Sequence, residues 1–84
     1  MIVEQRVRLT YPKHLLDQPL IYRLIQQFDL LTNILEARVT PEEGWLILVV
    51  RGECERVQQG LAWIAEQGVQ VELLAETEEE ACGS

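Results

Sequence analysis

Eighty-four residues, 48% of them hydrophobic, suffice for one compact domain and leave no room for a second. Fourteen acidic against seven basic residues give a net charge of −7, which opposes binding to a phosphate backbone and excludes nucleic acid as the expected partner. The longest apolar run, residues 45–50, is far too short to cross a bilayer, and no basic, apolar leader marks the chain for secretion, so the cytoplasm is the expected location.

From residue 3 to residue 9, Val3, Val7 and Leu9 alternate with Glu4, Arg6 and Arg8, the period of a strand with one buried face. Tyr11-Pro12-Lys13-His14 should break it. Asp17 is an expected N-cap, with Pro19 in the first turn of a helix whose stripe is Leu20, Ile21, Leu24, Ile25 and Phe28. A second strand should run from about residue 33 to 40, Leu35, Ala37 and Val39 facing the core and Ile34, Glu36 and Arg38 facing away. Pro41-Glu42-Glu43-Gly44 makes a turn into a third strand with Trp45, Ile47 and Val49 on one face and Leu46, Leu48 and Val50 on the other. Gly52 is placed to cap a second helix with the stripe Val57, Leu61, Ile64 and Ala65, and Gly68 to end it. Val69, Val71 and Leu73 make the last strand. Residues 1–74 thus form the domain, and residues 75–84, with Glu76 and Glu78, Glu79 and Glu80, read as an acidic, solvated, disordered tail.

The order strand-helix-hairpin-helix-strand is βαββαβ, an α+β ferredoxin-like sandwich. Right-handed crossovers put both helices on one face of a four-stranded antiparallel sheet, with the first and third strands central. The other face is left open, and one apolar set of the third strand must lie on it within a polar rim that includes Arg38. Such a strip is either a tolerated patch or a partner surface. Self-association is the expectation, with Trp45, Leu46, Ile47, Leu48 and Arg38 as interface candidates.

Catalytic chemistry is not legible. His14 is a lone loop histidine without a nucleophile beside it, and no glycine-rich phosphate loop follows the first strand. Metal carriers of this topology grip a soft ion with two nearby thiolates in the first loop, which here has no cysteine. RNA readers stack bases on central-strand aromatics, of which only Trp45 is present. An enzyme, a cofactor and a metal are therefore not expected. Cys54 reads as a packed thiol, and Trp63 as cover for a sheet edge or, less simply, a partner contact. Cys54 and Cys82 could form one bridge, but reduced thiols are expected because nothing else suggests an oxidising compartment.

At Thr32-Asn33-Ile34-Leu35 the chain resembles the NIL domain family, named for Asn-Ile-Leu at the start of its second strand. Supporting positions are Gln18-Pro19-Leu20, Gly44, Gly52, Trp63 and the closing Val69-Gln70-Val71-Glu72-Leu73-Leu74. The resemblance implies a regulatory domain, like those of bacterial methionine-importer ATPases, in which paired domains bind methionine and restrain transport. It implies a ligand site at Asn33, Ile34 and Leu35. An Asn at a strand start offers a donor and an acceptor to an amino-acid backbone, although it can equally satisfy its own turn. Arg8-Leu9-Thr10-Tyr11-Pro12 and Tyr22-Arg23-Leu24 resemble a cyanobacterial-type branch in which the domain precedes an iron-sulfur domain.

The expectation is therefore a homodimeric, non-enzymatic sensor of methionine or a related amino acid. The alternative is a protein-interaction module docking onto an electron-transfer (iron-sulfur) or transport partner.

Overall fold

The computed structural model describes residues 1–74; the expected acidic tail and Cys82 lie outside the described residues. Strand β1 (Ile2–Pro12) leads through a 3-10 turn (Lys13–Leu15) to helix α1 (Leu20–Phe28), strands β2 (Leu31–Val39) and β3 (Glu43–Glu53), helix α2 (Cys54–Glu66) and strand β4 (Gln70–Leu73). All pairings are antiparallel and the strand order is β2-β3-β1-β4. This is the ferredoxin-like sandwich that the element order implies.

Alternation decides which residues meet the helices. Val3, Val7, Leu9 and Tyr11 of β1 and Leu48 and Val50 of β3 are buried beneath α1 and α2, together with Leu20, Leu24, Leu30, Val57, Ile64 and Val69. β1 outruns its expected end because Tyr11 is itself a core residue, and Pro12 sits where the strand stops and a missing N–H costs little. Helix α2 packs on β1, β3 and β4, and α1 packs on α2, leaving β2 as an overhanging edge. Among the described residues no helix is long and apolar enough to cross a membrane.

Several local expectations need correction. Helix α1 is entered through Pro19, not through a cap at Asp17, and its first turn has no side-chain cap. Gly52 is still in β3, opposite Val3, where a Cβ would come within 2.6 Å of Leu30 Cδ2; Glu53 holds the cap position of α2. Gly60, not the exposed Ala65, completes the buried stripe of α2. Trp63 leans on Phe28 with ring centroids 5.9 Å apart and so ties α2 to α1 instead of covering a sheet edge. Gly68 follows α2 with φ 108°, the left-handed conformation that glycine adopts without penalty. Cys54 is disulfide-bonded where a reduced thiol was expected.

The largest correction concerns β2. Its pairing with β3 is regular from Leu31 opposite Arg51 to Ile34 opposite Leu48, then shifts, so that Glu36 faces Ile47. Leu35 is the extra residue of a β-bulge, which reverses the alternation along the strand. Ile34 therefore shares the helix-side face with Ala37 and Val39, whereas Asn33, Glu36 and Arg38 share the open face. No residue of β2 is buried, and Leu31, Ile34, Leu35 and Val39 are all exposed.

Candidate functional site

The open face of the sheet carries Glu4, Arg6, Arg8 and Thr10 from β1, Trp45, Ile47, Val49 and Arg51 from β3, and Asn33, Glu36 and Arg38 from β2. Trp45, Ile47 and Val49 are half-buried although no helix covers them. The Arg8 guanidinium stands 4.7 Å from the centre of the Trp45 ring, a cation-π contact that keeps the charge at the surface while its stem covers apolar area. The five interface candidates consequently separate. Trp45, Ile47 and Arg38 lie on the open face, while Leu48 is fully buried on the helix side and Leu46 packs against the core there. Leu46 and Leu48 are corrected to core-side residues.

At the Asn33 end of this face lies a groove of about 330 Å³ lined by Glu4, Leu31, Thr32, Asn33, Val49 and Arg51. Asn33 directly faces Val49, Thr32 faces Val50 and Leu31 faces Arg51, so strand pairing alone brings an amide, a cation and two apolar side chains together. Glu4 comes from β1, where it pairs with Arg51; its Oε2 is 3.9 Å from Arg51 Nε. That contact is long and solvent-exposed, which leaves both charged groups most of their bonding capacity. A guanidinium, a carboxylate and an amide beside Leu31 and Val49 can together engage a carboxylate, an ammonium and a short apolar side chain.

Of the three expected ligand residues, only Asn33 lines this groove. Ile34 points to the helix-side face and Leu35 occupies the bulge. Glu4 and Arg51, not expected from the sequence, supply the charges. They are 47 positions apart and meet only through strand register, which no local motif encodes. His14 is exposed in the 3-10 turn, far along β1 from the groove. Among the described residues no cluster of three or more His, Cys, Asp or Glu side chains could hold a metal ion.

The profile of the NIL domain matches residues 5–73, nearly the whole described chain. The chain belongs to the NIL domain family. Similar proteins include the methionine import ATP-binding protein MetN of Coxiella burnetii, 33% identical over 72 residues that make up 81% of this chain and 20% of that protein. An uncharacterized protein of Synechococcus elongatus is 35% identical over 78 residues, covering 89% of this chain and 94% of its own length. This NIL domain thus spans about a fifth of the importer relative and nearly the whole of the other. Among solved structures, the C-terminal domain of an ABC transporter ATP-binding protein from Enterococcus faecalis superposes with a TM-score of 0.74 at 17% identity, over 84% of this chain and 83% of that one. That likeness shows the fold.

Proposed function

We propose that this NIL domain is a non-enzymatic sensor of a free amino acid, methionine or a related one, held in the groove at Asn33. The observation that carries the reading is the convergence of Asn33, Arg51 and Glu4 beside Leu31 and Val49. Arg51 would take the ligand carboxylate, Glu4 its ammonium, and Asn33 either group, while Leu31 and Val49 accept the side chain. The family and the methionine-import name of a relative agree with that ligand class. The reading places the chain in the cytoplasm.

The sensor is proposed to be a homodimer, with the groove at the subunit boundary. Support comes from β2, an edge strand with exposed Leu31, Ile34, Leu35 and Val39, and from the half-buried Trp45-Ile47-Val49 strip beside it. An unpaired apolar edge of nine residues invites a second strand. A docking reading is favoured by one further observation. Arg6, Arg8, Arg38 and Arg51, four of the seven basic residues, share the open face with Glu4, Glu36 and Glu72, so a chain with net charge −7 carries a small positive excess there, which suits an acidic protein partner such as an electron carrier.

Calorimetric titration with methionine and a panel of other amino acids tests the sensor. Saturable heat is expected with methionine or a close analogue, with affinity reduced about tenfold or more in Asn33→Ala and in Arg51→Gln, since each removes a hydrogen bond to a charged group. The absence of heat and of any change in melting temperature for every amino acid would reject it, because a ligand that binds only the native state must stabilise it.

A further inference from the structure

The Asn33 groove has a larger neighbour. A concavity of about 570 Å³ lies between the start of β2, the end of β3 and α2, and its wall includes Asp29, Leu31, Arg51, Gly52, Glu53 and Arg56. Leu31 and Arg51 also line the Asn33 groove, and they face each other across the β2–β3 ladder, so this one residue pair is the boundary between the two hollows. Leu31 is 68% exposed and the Arg51 side chain 55%, which makes the boundary a surface ridge that a ligand can lie across.

Across that boundary the charges repeat. On the groove side Arg51 Nε stands 3.9 Å from Glu4 Oε2, and on the far side Arg56 Nη1 stands 3.5 Å from Asp29 Oδ2. Both pairs join a guanidinium to a carboxylate over a long, solvent-exposed contact, so each partner keeps bonding capacity for another molecule. Glu53 is engaged differently, since its carboxylate holds the N-terminal ammonium at 2.8 Å. Asp29 is an unexpected residue for its place. Its φ of 55° and ψ of 51° are left-handed, the only such non-glycine backbone among the described residues, and glycine would adopt them with less strain. It stands at the C-terminus of α1, the end that repels a carboxylate, and the last turn of that helix has no basic residue to offset it. Neither the backbone nor α1 favours an aspartate here, whereas the pair with Arg56, 27 positions away, uses its charge.

A guanidinium beside a carboxylate recognises the carboxylate and the ammonium of one amino-acid head group. Two such pairs on either side of Leu31 therefore match a molecule with two head groups and an apolar stem between them. We propose that the ligand carries an amino-acid group at each end of a short methylene or thioether stem, one end at Arg51 and Glu4 and the other at Arg56 and Asp29. The proposal rests on the sensor reading and narrows its ligand class: a second head group takes the place of the terminal methyl of methionine.

Calorimetry on the full chain with methionine and three probes of equal carbon-chain length tests it. 2-Aminooctanoate has one head group, 2-aminosuberate adds a carboxylate at the far end, and 2,7-diaminosuberate adds the second ammonium. Affinity is expected to rise about tenfold from the first probe to the second and severalfold from the second to the third, since each step adds a charge-assisted hydrogen bond. Arg56→Gln should erase the first gain and Asp29→Asn the second. Both side chains are exposed, so both variants keep the fold, and neither should alter the binding of methionine or 2-aminooctanoate. The proposal is overturned, and the sensor reading kept, if methionine binds while 2,7-diaminosuberate binds no tighter than 2-aminooctanoate, or if the gains survive both substitutions. If methionine and all three probes give no saturable heat, both readings fall.

Discussion

Tyr11 is a strand residue that works as part of the core, and its hydroxyl gives it a pH signature. Its pKa is raised from 10 to about 12 by burial, so the folded state holds the proton more tightly than the unfolded chain. Stability from this group is complete below pH 10 and is lost as pH rises towards 12, because the unfolded tyrosine ionises first. Over that window about 1 to 2 kcal/mol should disappear, since solvent screens a hydroxyl that the core does not fully enclose. Urea unfolding of wild type and Tyr11→Phe at pH 9 and pH 11.5 should show the gap between them shifting by that amount in favour of phenylalanine. Leu48 and Ile47 supply a second comparison on adjacent positions. Leu48→Ala should cost about 2 to 5 kcal/mol because a fully buried side chain leaves a cavity. Ile47→Asp, on the half-exposed open face, should lower the melting temperature far less.

At the scale of elements, the contact between the two helices depends on Gly60. A Cβ at that position would lie 2.9 Å from Leu24 Cδ1 and 3.0 Å from Leu30 Cδ1, and both leucines are sealed in the core with nowhere to move. Gly60→Ala gains about 1 kcal/mol of helix propensity but overpacks the crossing, which costs about 1 to 3 kcal/mol. A net loss of stability is expected in thermal unfolding; an increase in melting temperature would show that α2 can lift away from α1. The bulge at Leu35 is the element-scale feature on which the candidate site depends. A β2 strand alternating without interruption, with Arg38 on the open face opposite Trp45, would put Ile34 on that face and Asn33 on the helix side. The inserted residue instead brings Asn33 over Val49 and beside Arg51.

For the whole molecule, an acidic chain presents a sheet face of four arginines and three glutamates around an apolar strip, beside an uncovered edge strand. If that face closes against a second copy, light scattering should give twice the chain mass. Ile47→Asp should then halve the mass while circular dichroism stays native, because a carboxylate would be desolvated at the boundary. A wild-type monomer at all concentrations would remove the subunit boundary from the proposed site. It would leave the groove itself intact, since all six of its lining residues come from one chain.

Much of this architecture was readable from residue order. Alternation in β1 and β3 and the stripe of α1 are properties of neighbouring residues, and they dictate the element order, the two central strands and the existence of an open face. The resemblance to the NIL motif likewise pointed to Asn33 as a candidate ligand residue, which is what the proposed site builds on. Tertiary structure decided which apolar face of β3 is buried, because that depends on where the helices land and not on hydrophobicity, which is equal on both sides. It also decided that Asn33 parts from Ile34 and Leu35, because one inserted residue in β2 changes facing without changing composition. Only strand register could bring Glu4 to Arg51, two residues far apart in the chain that no local pattern links.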